Sequence, residues 1–335
     1  MKKTWNRIIA GILIFTVMIS AAACSKGNTA SENQSLDGMI GQSAKALQKN
    51  LTGEETVSAG SPTGDWTAMA YAFAGQKKTC SDYLPELENY IVKQYRKKGN
   101  LSDVKATEYH RAALAILALG GDPADVNKKG EHVNLVADGT WNFPGGSPGL
   151  QGSNGLIYAL LMLDSKAYDT PQLDLRSQYV EELLTYQKDS GAFCIDNSLD
   201  GDVDITAMAL QALAKYRDDE QVNTAVQKAL DWLEGQMTEK AVFQNSDSES
   251  AESSAQVILA LCALGEDPDK DEQFQKNGRT LLDGLNDYRM KDGMYMHESS
   301  DQKENIMATY QSLLALEAVQ ELREEQKWIF DFTEE

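Results

Sequence analysis

Gly201-Asp202-Val203-Asp204-Ile205-Thr206-Ala207-Met208-Ala209-Leu210-Gln211-Ala212-Leu213 is an acidic loop that runs straight into an Ala-rich apolar segment. Asp204 and Thr206 are natural helix starters, because a short side-chain oxygen accepts from the free backbone N–H groups of a first turn. The segment behind them is small and apolar on nearly every side. That composition predicts a helix buried all round rather than one with a wet face.

The Ala-Leu step that ends this stretch recurs through the chain. Aligned on it, six copies end at Ala74, Leu119, Leu163, Leu213, Leu264 and Leu316, with spacings of 45, 44, 50, 51 and 52 residues. A period of this size marks a helical repeat architecture. Between the copies lie segments with an apolar stripe at spacings of three and four. Tyr83, Leu87, Tyr90, Ile91 and Tyr95 form one; Val222, Val226, Leu230, Leu233 and Met237 a second; Phe274, Leu281, Leu282, Leu285 and Tyr288 a third. Leu36, Met39, Ile40, Leu47 and Leu51 predict a similar helix ahead of the first copy. Each repeat therefore pairs one fully buried helix with one half-exposed helix. Six such pairs predict an all-α (α/α)6 toroid over residues 36 to 335, with the Ala-rich helices inside. Alanine suits the inner ring because helices converging on one axis must approach closely.

Residues 1 to 23 have the anatomy of a signal peptide. Lys2, Lys3 and Arg7 make a basic front, Ile8 to Ile19 an apolar stretch, and Ser20-Ala21-Ala22-Ala23-Cys24 a small-residue cleavage site. The pattern resembles a bacterial lipoprotein signal, which implies that Cys24 is lipidated and anchors the chain to the extracytoplasmic face of a cell membrane. Residues 24 to 35 are polar and rich in Gly, Ser and Asn, as a flexible tether is. The formal charge is −20, and −23 once the three basic residues of the signal are removed. So acidic a surface disfavours nucleic acid and anionic lipid, both of which demand basic contacts. Cys80, Cys194 and Cys262 form no CxxC pair, so neither a disulfide framework nor a zinc knuckle is indicated.

The connectors before several inner helices carry a Gly and an aromatic: Gly64-Asp65-Trp66, Gly139-Thr140-Trp141-Asn142-Phe143, Gly191-Ala192-Phe193 and Gly293-Met294-Tyr295, with Phe243 alone in the fifth copy. Their recurrence marks Trp66, Phe193, Phe243 and Tyr295 as staples between repeats, the Gly capping the preceding outer helix. Trp141 is a ligand-contact candidate. It stands beside the longest Gly/Pro insertion, residues 143 to 152, and such insertions lie on working faces.

The Gly-aromatic connector, the Asp204-Ile205-Thr206-Ala207-Met208-Ala209 helix start and the six-fold period together resemble the prenyltransferase/squalene-cyclase repeat superfamily. That superfamily includes cobalamin carriers of the intrinsic factor and transcobalamin type. The resemblance implies a toroid but not one activity, since cyclases, prenyltransferases, thioester domains and non-catalytic binders share the fold. Asp202-Val203-Asp204-Ile205-Thr206 is similar to the Asp-x-Asp-Asp-Thr acid motif of cyclases, with Ile205 in place of its last Asp; by that resemblance the middle acid, Asp204, would be the proton donor. His110, His132 and His297 do not sit in the zinc pattern of protein prenyltransferases, so no catalytic metal is expected. Glycosidases of this shape use two carboxylates, a role open to Asp202 with Glu108.

Projecting Asp204 through the repeats places Asp65, His110, Asn154, Ala255 and Met307 at the same point of the other inner helices. Two residues earlier come Thr63, Glu108, Gly152, Asp202, Ser253 and Asn305. Repeats one to four thus form a polar rim, while the fifth and sixth turn small or apolar. Such a rim above an apolar funnel is the form of a small-molecule site. N-capping accounts equally well for Asp65, Asn154 and Asp204, but not for His110, Glu108 or Asp202. Tyr158, Gln256 and Gln311 on the inner helices complete the candidate ligand contacts. The expectation is a lipid-anchored surface protein that binds a small molecule without a resident cofactor. Corrinoid capture is the sharpest version, with a partner chain closing the site. The alternatives are an isoprenoid cyclase or lyase using Asp202 and Asp204, or a protein-interaction adaptor.

Overall fold

A computed structural model describes residues 35–52, 57–128, 130–245 and 248–333. The signal segment, Cys24 and the tether up to residue 34 lie outside the described residues. Six Ala-rich helices form the inner ring: α2 (Pro62–Tyr71), α4 (Thr107–Ala118), α6 (Ser153–Ser165), α8 (Val203–Leu213), α10 (Ala251–Ala263) and α12 (Ile306–Glu325). Each packs on the next, and α12 packs back on α2, so the ring closes. Ala68, Ala113, Ala159, Ala207, Ala260 and Ala315 are wholly buried, which is how six helices come this close to one axis.

The outer helices are α1 (Leu36–Thr52), α3 (Tyr83–Lys98), α5 (Leu135–Asp138), α7 (Leu175–Leu184), α9 (Glu220–Gln236) and α11 (Leu281–Asn286). They lie outside the ring, with α1 wedged against both α12 and α2 across its closure. The stripes expected on α3 and α9 are buried through Leu87, Ile91, Val222, Val226 and Leu233. The third stripe is not one helix. Asn277 and Gly278 adopt left-handed backbone, and Thr280 then starts α11 afresh. Its hydroxyl accepts from the Asp283 N–H at 3.3 Å, while the Asp283 carboxylate accepts from the Thr280 N–H at 3.0 Å. Two short antiparallel hairpins also interrupt the helical pattern: β1 (Val126–Lys128) with β2 (Glu131–Val133), packed on α3, and β3 (Gln244–Asn245) with β4 (Ser248–Glu249).

The connector aromatics Phe193, Phe243 and Tyr295 are wholly buried, as staples should be. Among the connector glycines, Gly139 is the C-cap of α5, its N–H donating to the Leu135 carbonyl at 2.9 Å as expected, but Gly191 works differently. The outer helix α7 already ends at Leu184, whereas Gly191 turns the chain with φ +99°, and a side chain there would collide with the Lys228 carbonyl. A recurring clasp then fixes where the inner helices begin. The N–H groups of Phe193, Phe243 and Tyr295 donate to the hydroxyls of Thr206, Ser254 and Thr309 at 2.9, 3.1 and 2.9 Å. Those hydroxyls donate in turn to the carbonyls of Asp202, Ser250 and Asn305, the N-cap residues of α8, α10 and α12.

Candidate functional site

The clasp supplies a register that the Ala-Leu step does not. Counted from each N-cap, copies one, two and five carry two, two and three more residues before that step than copies three, four and six. Two residues after the cap stand Glu108, Asn154, Asp204, Glu252 and Met307, one on each of five successive inner helices. Six residues after it stand Tyr158, Met208, Gln256 and Gln311; nine after it, Leu161, Gln211, Leu259 and Leu314. These layers descend the axis from the N-terminal mouth.

Asp65 and His110 leave the mouth in this register. Asp65 is wholly buried between the rings: Oδ1 accepts from the Gly60 N–H and the Tyr83 hydroxyl, each at 2.9 Å, and Oδ2 from Arg111 Nε at 2.9 Å. Burial raises its carboxyl above the usual carboxylate range, against the opposing pull of Arg111 and the other two donors. It caps nothing; Ser61 caps α2, accepting from the Gly64 N–H. His110 points outward, bonding the Gly139 carbonyl through Nε2 at 2.7 Å. Complete burial lowers its pKa to about 4, so the ring is neutral. Trp141 packs half-buried against the core, away from the axial cavity. Asp202, expected to escape a capping role, is the N-cap of α8: it accepts from the Ile205 N–H at 2.9 Å. Burial raises its pKa above the usual carboxylate range, and the neighbouring Asp204 charge adds to this.

The rim is polar further round than the sequence suggested. Glu252, 5 % exposed, stands where Ala255 was projected and brings a carboxyl to the fifth repeat. One oxygen accepts from His297 Nδ1 at 2.8 Å, while Oε1 is buried without a partner among the described residues. Burial lifts Glu252 above its ordinary pKa, against the pull of His297, and its hydrogen bond raises His297 in return. Asn154 Oδ1 is likewise buried and unpartnered. Across the mouth, Glu108 holds Arg111 at 2.6 Å. Gln151, from the Gly/Pro insertion, caps α4 by accepting from the Thr107 N–H at 3.0 Å, which places that insertion at the mouth as expected. Burial raises the hydroxyls of Tyr158 and Tyr310 on the axial face, and the charges of Asp204 at Tyr158 and Glu252 at Tyr310 add to this.

Below the rim the axis narrows to a cavity of about 60 Å³. Gln211 donates to Gln256 at 2.9 Å and Gln256 to Gln311 at 3.0 Å, an amide chain across α8, α10 and α12. Tyr158 contacts Met208 Sδ at 3.4 Å. Trp66, expected to be only a staple, lines this cavity, 5.9 Å from the Tyr158 ring. The floor is the C-terminal segment. Phe330 enters the axis and meets Trp66, Phe73 and Trp328 edge-on at 6.4, 5.7 and 5.3 Å.

No family model and no curated relative matches the sequence. Solved structures do. Candida albicans protein geranylgeranyltransferase-I, complexed with GGPP, is 14 % identical with a TM-score of 0.57 over 90 % of this chain and 97 % of that one. An unsaturated glucuronyl hydrolase mutant from Streptococcus agalactiae, complexed with dGlcA-GalNAc6S, is 10 % identical with a TM-score of 0.58 over 87 % and 92 %. The Bacillus sp. GL1 unsaturated glucuronyl hydrolase is 12 % identical with a TM-score of 0.57 over 89 % and 98 %. The chain has the α/α toroid fold that these proteins share.

Proposed function

We propose that the chain binds a neutral or cationic polyhydroxylated small molecule, of the carbohydrate class, at the N-terminal mouth of the toroid. The observation that carries this is the convergence of Glu108, Asn154, Asp204 and Glu252 on successive inner helices, with Asn154 Oδ1 and Glu252 Oε1 both buried and without a hydrogen-bond partner among the described residues. Buried polar atoms without partners are costly and are retained where a ligand group completes them. Carboxylates accept strongly from hydroxyl and ammonium groups and repel anions. The cations beside the rim are committed, Arg111 to Asp65 and Glu108, and His297 to Glu252. A diphosphate or a uronate therefore fits this mouth poorly, which sets it apart from the ligands named for the similar structures.

Corrinoid capture belongs on the rim if it occurs, because a cavity of about 60 Å³ is far below the several hundred Å³ a ligand of drug size fills. Leu150, Ile195, Leu199 and Met307 are exposed around the starts of α6, α8 and α12, an apolar shelf suited to a closing partner chain. The lipoprotein-like signal supports a reading in which this mouth lies outside the cytoplasmic membrane, the chain held there through a lipidated Cys24 as a cell-surface binding protein.

The test is a thermal-shift series on the full chain with a neutral oligosaccharide, cobalamin and geranylgeranyl diphosphate. A ligand at 100 times its dissociation constant adds roughly 2.7 kcal/mol of apparent stability. Stabilisation by the oligosaccharide, lost in Asp204→Asn and Glu252→Gln, supports the proposal; a response to the diphosphate alone overturns it. Glu252 also favours a second reading, in which the mouth hydrolyses or eliminates rather than only binds. A carboxyl raised by burial beside another carboxylate is how a general acid is held protonated. Product formation that vanishes in Glu252→Gln while binding persists would establish that reading.

A further inference from the structure

The opposite end of the axis holds a second candidate site, unrelated to the mouth. A groove of about 470 Å³ lies between the turn after α2, the last turns of α12 and the C-terminal segment. Phe73 and Phe332, stacked at 6.0 Å, form its apolar wall. Lys77 and Lys78 line it from the turn, and Lys327 from the C-terminal segment. Glu317, on the axial stripe of α12 with Tyr310 and Leu314, also lines it. Glu317 is 4 % exposed, and neither carboxyl oxygen has a hydrogen-bond partner among the described residues.

Leucine at this position would cost nothing in buried polarity. A carboxyl with two unanswered oxygens destabilises the fold, and more so if ionised. Complete burial accordingly raises its pKa well above the ordinary glutamate value. The groove thus sets an unanswered carboxyl beside three lysines. We propose that this groove binds a small zwitterion, its ammonium group against Glu317, its anionic group against Lys77, Lys78 or Lys327, and its apolar body against Phe73 and Phe332. Glu321 and Asp331 are the other acids facing the groove, and Asp331 is held by Lys215 at 3.4 Å. Glu317, the most deeply buried of the acids, is where the ammonium group gains a partner that water does not already supply.

The experiment is isothermal titration of the full chain with three probes of one shape: L-phenylalanine, its methyl ester, which keeps only the ammonium, and its N-acetyl derivative, which keeps only the carboxylate. Binding of the free amino acid at least tenfold tighter than either derivative is expected. Repeating it in buffers of different ionisation enthalpy should reveal proton release, because an arriving ammonium group ionises Glu317. Glu317→Gln should lose at least tenfold in affinity and abolish the proton release, with its helical circular dichroism unchanged; Glu317→Leu should also lose binding yet melt higher than the wild type. Glu252→Gln, at the mouth, should bind the probe as the wild type does. No binding by any probe, equal binding of ester and amino acid, or unaltered binding in a folded Glu317→Gln would each overturn the proposal. Loss of binding in Glu252→Gln would place the ligand at the mouth and overturn it too.

Discussion

Asp65 is the residue on which the first two repeats depend. It accepts from backbone, tyrosine and arginine at once, and removing it takes one of its two carboxylate partners from Arg111, whose side chain is 8 % exposed. Breaking a buried pair by deleting one partner costs roughly 3–5 kcal/mol. Asp65→Ala should therefore lower stability to urea by that order, as equilibrium unfolding would reveal. His110 makes a pH-dependent claim. An unfolded chain protonates this side chain near pH 6.5 and the folded chain only near pH 4, so the unfolded state binds more protons between the two. Stability is then full above pH 6.5 and falls by about 3 kcal/mol as pH drops to 4. Unfolding curves of His110→Gln against the wild type across this window should lack that part of the slope.

At the scale of an element, α8, α10 and α12 are set at their starts by a clasp, and an ion pair ties the end of α10 to α12. Thr206→Val keeps the shape of the side chain but leaves the Phe193 N–H and the Asp202 carbonyl each short of a bond. A loss of about 1–3 kcal/mol is expected, with reduced hydrogen-exchange protection confined to the first turn of α8. Gly191→Ala should be worse, because φ +99° and a Cβ 2.2 Å from the Lys228 carbonyl demand movement of backbone rather than side chain. Beyond α10, Asp267 takes two bonds from Arg323 of α12 at 2.6 and 2.9 Å, and these hold its carboxyl well below the usual range. A depressed carboxyl contributes stability above its unfolded pKa of 3.8 and loses it as pH falls further. Asp267→Asn should thus melt below the wild type at pH 7, by about 2 kcal/mol in stability, and the gap should close in acid.

For the whole molecule, the question is what fills the axis. A toroid of small residues leaves space at its centre, and here the C-terminal segment fills much of it through Phe330, 4 % exposed and ringed by Trp66, Phe73 and Trp328. Phe330→Ala should cost about 3–5 kcal/mol, the usual penalty for emptying such a site. It should also open the axial cavity to an apolar dye, measurable as new fluorescence in the folded state. A variant as stable as the wild type and dark to the dye would mean that the segment merely rests on the ring.

The ring itself was legible from the sequence: a helical period, alanine on every face of alternate segments, and stripes between them leave few other ways to bury so much apolar surface. Asn154, Tyr158, Asp204, Gln256 and Gln311 were legible as inner-helix polar groups for the same reason, since a side chain that breaks an apolar helix stands out. The register of the mouth was not. Alignment on the C-terminal Ala-Leu step misplaced three copies by two or three residues, about half a turn to most of one, which put Asp65, His110 and Ala255 where Thr63, Glu108 and Glu252 belong. Helical periodicity fixes the face of a residue relative to its neighbours, but where a helix begins depends on a cap and a clasp. The clasp joins residues up to 14 apart and is visible only once the chain is folded. The stranded carboxyl of Glu317 was hidden likewise: its place on the axial face follows from the helix, but its lack of partners is a property of everything packed around it, and that only the tertiary structure decided.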